Sequence, residues 1–570
     1  MKKRSVRTLL TLALLICSFR PGAAGLQDGG RTYKPLCLLG LKPGAGSGVI
    51  LSGAWPARMY QPIRLPGLKL GAGLPSPGPS KAGAGLPSPG PAGFATGLAV
   101  PVLETGKGGG KAGVRSGLIL STTHPVLKNR GGWCRTYQQT VDRLRDAGLT
   151  GEQGFELLKR ITSVGPRLTG SSGAAAAIDL SLQLMKELGF ANVHAEPVEV
   201  GHWVRGEVGE AEITASGTRA AVPLAVCALG GSVGTPDRGL TAPVVEVLSL
   251  DELGRLGPKL KGKFVFFNRP MDRRLAEPFS AYGGAADQRV SGASAAARYG
   301  ALGVLVRSLT FREDRNPHTG LMQYDPGVPR IPAAAVSTQD AEVLSALLKK
   351  ERGLSVSLRM NCRDMGRVAS ANVVGELTGT DLPDEVILVG GHLDSWDIGA
   401  GAHDDAAGCA ASLEALRLIK AVGLRPRRTI RVVLFMDEEF GGTGGRAYVR
   451  ALQRKGERHL VAVEADRGGF APVGLAIGGH DSRVLEKISS YADLFRPLGV
   501  SFIVPGGGGV DVGPLIEKGA EPAAVMINSQ AYFDVHHSAL DVVSSVHPRE
   551  LELQAVILAA LVYILAQEGA

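Results

Sequence analysis

Three short apolar runs in the second half of the chain each end in side chains of the kind that bind metals. EVILVGGHLDSWD places His392 and Asp394 just past its apolar stretch, TIRVVLFMDEEF ends in Glu438 and Glu439, and HLVAVEAD ends in Asp466. Singly, polar residues at strand ends are ordinary. Jointly they are not, because an adjacent pair of carboxylates against an apolar strand is costly unless cations or protons neutralise it. The same strain attaches to Asp404 and Asp405 in GAHDDAAG. Carboxylates with imidazole suit Zn²⁺, and the chemistry they imply is hydrolysis by a metal-activated water. The six cysteines are scattered without a CxxC pair, so neither a thiolate metal site nor a disulfide scaffold is expected. No GxSxG elbow or Cys/His pair supports a nucleophilic alternative.

His392 and Asp466 are 74 residues apart, so they meet only if the strands that carry them lie side by side and end on the same edge. The pattern from Asn372 onward supplies this: runs at 386–389, 430–436 and 460–463 alternate with helical stretches such as 410–422, where Leu413, Leu416, Leu418 and Ile419 share a side. Strongly apolar strands of this kind belong to a parallel sheet covered on both faces. Helices are also expected at 137–149, 154–161 and 174–189. The apolar segment 551–565 reads as a core helix rather than a membrane span, given its flanking Glu and Gln residues. Between about 199 and 362 the texture changes to short β runs at 223–228, 244–248, 263–267 and 303–306, an inserted β-rich module.

The chain has 570 residues and a formal charge of +10. Residues 1–130 hold 17 of the 63 basic residues and two of the 53 acidic ones (Asp28 and Glu104), leaving 46 basic against 51 acidic from 131 onward. The body is mildly acidic, which argues against nucleic-acid binding. Lys2, Lys3, Arg4 and Arg7 precede an apolar run and the small residues Gly22, Ala23 and Ala24, the pattern of an export signal cleaved near Ala24. Ile16 before Cys17 argues against lipid attachment, and soluble export without stable membrane insertion is expected. From 25 to 132 the chain is rich in Gly and Pro and repeats GAGLPSPGP at Gly71 and Gly83, a composition that cannot bury a core and reads as a disordered spacer.

GHLDSWDIGAGAHDDAAG, FMDEEFGGTGG, VEADRGG and FDVHHSALD follow one another in the order found in the co-catalytic di-zinc aminopeptidase family of metallopeptidases. The chain resembles that family over about residues 135–568, with PHTG at Pro317 and GVPRIP at Gly327 inside the inserted module. The resemblance implies a zinc-peptidase (phosphorylase/hydrolase-like) three-layer α/β/α sandwich. Its expected divisions are a signal peptide 1–24, a Gly/Pro-rich segment 25–132, catalytic parts 133–198 and 363–570, and an insert 199–362. KLKGKFVFFNRP in the insert resembles a protease-associated domain.

Carried over by position, the resemblance makes Asp404 the bridge between two zinc ions, with His392 and Asp466 on one and Glu439 and His537 on the other. Glu438 becomes the general base of a hydroxide shared by the metals. Asp394 becomes the partner of His392 that fixes its tautomer and raises its basicity. Of the two adjacent histidines, His537 is chosen as ligand because the family's ligand stands four residues before an Asp, here Asp541. His536 is then either a donor to the oxyanion or a packing residue. The peptide bond after Asp404 is expected to be cis.

His403 is expected to point away from the site. The resemblance places His318 in a loop near substrate, and Asp511 is expected to brace a loop by hydrogen bonds, the glycines from Gly506 allowing close backbone approach. Arg467 stands where relatives carry a small residue, with a substrate carboxylate or Glu464 as its partner. The implied activity is exopeptidase cleavage of short peptides, dipeptides above all, by a secreted homodimer. A glutaminyl cyclase would bind one zinc and lack the full ligand set, and a non-catalytic peptidase-like receptor would have lost a ligand or Glu438; all six residues are present.

Overall fold

The apolar runs at 386–389, 430–436 and 460–463 lie in three of four parallel strands at the centre of an eight-stranded sheet in the computed structural model. In spatial order this sheet runs Phe502–Val504, Pro472–Ile477, Glu521–Ile527, Arg458–Glu464, Leu382–His392, Arg428–Phe435, Arg363–Leu377 and Ala191–Val204. Glu521–Ile527 through Arg428–Phe435 are the parallel four, and the two strands beyond Arg428–Phe435 are antiparallel. The four parallel strands therefore deliver their carboxyl ends to one edge.

Alternation along a strand sends successive side chains to opposite faces, and both faces are covered. Ile387, Val389, Ile430, Val432, Val461 and Val463 pack against the Ala407–Ala421 and Pro548–Glu568 helices. Leu388, Val433, Phe435 and Ala462 pack on the other side against Tyr448, Val449 and Leu515, carried by Thr443–Leu452 and Gly513–Ile516. Burial on both sides is why these strands read as continuous apolar runs rather than alternating ones. Pro548–Glu568 is long and apolar enough to cross a bilayer, but its side chains from Leu551 to Ala566 are almost all buried against this sheet and its neighbouring helices.

A second eight-stranded sheet is built from residues 209–360. Its order is Val222–Leu224, Gly209–Ile213, Ser355–Met360, Leu240–Val247, Phe264–Phe267, Gly303–Arg307, Ala333–Val336 and Val226–Ala228, with the last four but one of these, from Leu240–Val247 to Ala333–Val336, parallel. The Ala191–Val204 strand stays in the first sheet past residue 198, where the insert was expected to begin. Helices Gly131–Leu149, Gln153–Thr162 and Ser172–Glu187 match the three expected at the entry, the last capped by the Ser171 side chain accepting from the Ala174 N–H.

The structure describes residues 131–214, 220–452 and 456–570, with two-residue strands Gln27–Asp28 and Arg31–Thr32 that pair antiparallel in a unit of their own. The expected signal peptide and nearly all of the Gly/Pro-rich segment lie outside the described residues.

Candidate metal centre

The strand ends converge on Asp404. His392, the last residue of Leu382–His392, places Nε2 at 3.1 Å from Asp404 Oδ1 and 3.6 Å from Asp466 Oδ1. His537 Nε2 lies 3.3 Å from Asp404 Oδ2 and 3.1 Å from Glu439 Oε2. Three overlapping trios offer ligand atoms within 4.8 Å of one another: His392, Asp404 and Glu439; His392, Asp405 and Asp466; and Asp404, His536 and His537. His536 Nε2 is 3.7 Å from Asp404 and reaches no second carboxylate, whereas His537 reaches two. Glu438 joins no trio and stands half-buried beside Glu439.

Asp405 sits beside Asp404, yet its oxygens are already engaged: Oδ2 accepts from the His392 N–H (3.0 Å) and Oδ1 from the Gly408 N–H (3.1 Å). A Cβ on Gly391 or Gly408 would collide with this carboxylate, which is why both positions are glycine. The Asp404–Asp405 peptide is cis, as expected. Asp541 holds the same turn from outside, accepting the His403 N–H at 2.6 Å and the Asp404 N–H at 3.1 Å.

Asp394 meets His392 through its backbone carbonyl rather than its side chain. His392 Nδ1 donates to the backbone carbonyl of Asp394 at 2.9 Å, while the Asp394 carboxylate stands 3.9 Å off. The carbonyl fixes the tautomer and leaves Nε2 turned toward Asp404. The carboxylate instead takes the N–H groups of Asp437 (2.8 Å), Glu438 (3.2 Å) and Glu439 (3.3 Å), and the Thr169 hydroxyl at 2.6 Å. It caps the turn that presents both glutamates. Asp437 and His537 hold positive φ (78° and 58°), a backbone region that side-chain-bearing residues adopt only under constraint.

Thr169 and Arg167 lie more than 200 residues before these turns, and nothing in the local pattern of SVGPRLTG marks them as site residues. Arg167 is fully buried and donates to the carbonyls of Leu393 (2.7 Å), Ala400 (2.6 Å) and Gly401 (2.8 Å), tying down the loop between His392 and Asp404.

Electrostatically the cluster is strained. Burial, opposed by His392 and reinforced by Asp466 and Glu439, drives the Glu438 carboxyl well above the ordinary glutamate range. Burial likewise raises Asp405 and Glu439. Burial pulls His392 and His537 down, but the neighbouring carboxylates outweigh it and hold both well above the usual imidazole value. Asp404 Oδ2, Glu439 Oε1 and Asp466 Oδ1 are buried with no hydrogen-bond donor. Orphaned carboxylate oxygens facing two imidazoles fit divalent cations.

A wall of different chemistry stands over this floor, supplied by the second-sheet segment. In PHTG, the Thr319 N–H donates to the His537 carbonyl (2.8 Å), and His318 Nδ1 donates to the His536 carbonyl (2.7 Å). His318 is buried and its pKa is pushed down to about 4 by that burial, so this neutral imidazole positions the histidine pair from behind. Helix Pro278–Gly283 adds Phe279, stacked on Tyr532 (5.2 Å), and Tyr282, edge-on to His536 (5.2 Å). His536 is packed among these rings and stacks on His537 at 3.5 Å, and burial with His537 keeps it neutral.

His403 is buried, stacks on Phe470 at 4.1 Å and accepts the Gly469 N–H, away from the cluster. Asp511 does not brace its loop by side-chain hydrogen bonds: both its oxygens are buried without donors, and burial raises its carboxyl well above normal. Arg467 does not pair with Glu464, which accepts the Val512 N–H at 2.8 Å; the guanidinium lies over the Phe279 ring at 4.9 Å.

Known proteins define the class: the chain is a metallo-exopeptidase. The profile described as Peptidase family M28 matches residues 372–562, a span that holds every member of the three trios. Carboxypeptidase Q of Bos taurus is 38% identical over 408 residues, 71% of this chain and 83% of the relative, and that of Homo sapiens is 35% identical over 460 residues, 80% and 94%. The crystal structure of a Peptidase M28 precursor from Shewanella amazonensis SB2B superposes with a TM-score of 0.73 at 34% identity, covering 77% of this chain and 98% of that one. A zinc aminopeptidase from Bacillus subtilis shares the fold (TM-score 0.54, 20% identity, 73% and 96% covered). The chain belongs to peptidase family M28, where its similarity is to carboxypeptidase Q.

Proposed function

We propose that this peptidase is an exported, zinc-dependent exopeptidase of short peptides, dipeptides in particular, and that it holds two Zn²⁺ ions. The observation that carries the reading is the convergence of orphaned carboxylate oxygens from Asp404, Glu439 and Asp466 on His392 and His537. In it, Asp404 would serve both ions, His392 and Asp466 would hold one, and Glu439 and His537 would hold the other. When bound, such a pair supplies Lewis acidity to the peptide carbonyl and acidifies water.

The remaining roles belong to this chain's own groups. Glu438, its carboxyl pushed upward by burial and next to a ligand without being one, takes the proton of the attacking water and returns it to the leaving amine. Asp394 and Thr169 keep its turn in place. Neutral His536 donates to the developing oxyanion, supported by its Nε2 lying 3.7 Å from Asp404. The second-sheet segment is read as the inserted protease-associated-like module, with Phe279, Tyr282 and the PHTG loop as its contribution to the site. Export rests on the basic, then apolar, then small-residue pattern of residues 1–24.

Metal analysis joined to a dipeptide panel on wild type and Glu438→Gln tests the proposal. Two zinc equivalents in both proteins and a loss of kcat of about a thousandfold in the variant are expected. Less than one equivalent in the wild type, or undiminished hydrolysis by the variant, sinks it.

A further inference from the structure

Arg467 follows Asp466 directly, beyond the end of the Arg458–Glu464 strand, so it emerges at the margin of the acidic floor. A row of rings connects it to the histidine pair: His537 stacks on His536 at 3.5 Å, His536 lies 5.0 Å from Tyr532, Tyr532 stacks on Phe279 at 5.2 Å, and the Arg467 guanidinium covers Phe279 at 4.9 Å. The side chain is half-buried, and no described residue accepts a hydrogen bond from it or forms an ion pair with it. The other guanidinium at this wall, Arg289, is engaged through both terminal nitrogens, and its Nε is buried without a partner. It is buried, donates to the Tyr282 hydroxyl at 2.5 Å and to the Thr319 carbonyl at 3.3 Å, and lies over the Tyr282 ring.

A guanidinium resting on an aromatic face keeps its in-plane N–H fork free, and that fork matches a carboxylate in two-point geometry. The carboxylates of the floor, Asp404, Glu438, Glu439 and Asp466, offer acceptors and no donor to a peptide carboxylate, so its recognition falls to a donor on the wall. At the floor and wall, Arg467 is a half-buried cation with no acceptor among the described residues, whereas the one spare donor of Arg289, its Nε, is buried. We infer that Arg467 recognises a carboxylate of the peptide substrate, an inference that rests on the peptidase reading above and assigns that site its substrate chemistry.

The carboxylate can be the peptide's own terminus or an acidic side chain, and binding measurements separate the two. In zinc-loaded Glu438→Gln protein, calorimetry is expected to show alanyl-alanine binding about tenfold more tightly than alanyl-alanine amide. Adding Arg467→Ala collapses that ratio to near one, and Arg467→Lys restores part of it. Alanyl-glutamate amide locates the source: a preference over alanyl-alanine amide that disappears with Arg467→Ala assigns the contact to an acidic side chain. Arg467→Met, which keeps the apolar stem over Phe279, serves as a second variant, and zinc content is checked in each. A carboxylate preference that survives both substitutions, or no preference for either carboxylate at the outset, overturns the inference. Wild-type hydrolysis of the same peptides is followed in parallel. Its absence would refute the peptidase reading, while the binding ratios would still decide the role of Arg467.

Discussion

The floor and the wall of the site are made from opposite chemistry. The floor is the carboxyl edge of the first sheet, where Asp404, Glu439 and Asp466 present buried oxygens without donors to His392 and His537. The wall comes from the second-sheet segment and the turn around Tyr532, and it offers rings, a neutral imidazole at His318 and two guanidiniums. The floor is electrostatically incomplete without cations. The wall makes several hydrogen bonds within itself and leaves fewer charged oxygens exposed to one another, with His318 Nε2, Arg289 Nε and the Arg467 guanidinium without partners among the described residues. On the proposed reading, reaction belongs to the floor and selection to the wall.

The largest effect belongs to the centre of the floor. Asp404→Ala is expected to lose both zinc ions and reduce hydrolysis to background, since the residue faces both histidines; retention of two zinc equivalents would break the comparison at its strongest point. Thr169→Ala removes the hydroxyl that holds Asp394 and, through it, the Glu438 and Glu439 turn. A fall in kcat/KM of roughly 10 to 100-fold is expected, the range for a residue that orients a ligand's support. Phe279→Ala, on the wall, should raise KM by about tenfold with kcat and zinc content little changed. An equal fall in kcat would erase the distinction between the two regions.

The smallest effect lies away from both. Burial, then Glu414, raises the Glu552 carboxyl to about 7, although Oε1 accepts the Phe155 N–H at 3.1 Å. A carboxyl raised on folding contributes stability that is full below about pH 4.5 and is lost as pH rises through 7. Glu552→Gln should therefore flatten part of the fall in thermal midpoint between pH 5 and 8, measured by calorimetry, without touching the zinc content.

The floor was legible in the sequence because its residues sit in short motifs at the ends of apolar runs, and parallel strands carry such ends to a common edge. The core helix at 548–568 was legible for the same reason: its apolar character and short polar flanks are local. Asp394 was legible as a partner of the site but not in its manner, because sequence cannot tell a carbonyl donor–acceptor contact from a carboxylate one. Arg167 and Thr169 were missed since each acts across more than 200 residues through backbone carbonyls or a hydroxyl, leaving no spacing to detect. The wall was legible only at PHTG, His536 and Arg467. Phe279 and Tyr282 sit in a six-residue helix whose sequence gives no sign of which loop it will face. Asp511 was misread for a related reason, since a glycine-rich approach suggests hydrogen bonding but does not guarantee a donor.

Anomalous diffraction at the zinc edge, on crystals of the zinc-loaded protein, tests the central claim most directly. The account predicts two peaks about 3.5–4 Å apart, flanking Asp404, one beside His392 and Asp466 and the other beside Glu439 and His537. A single peak, or none within reach of Asp404, would contradict it.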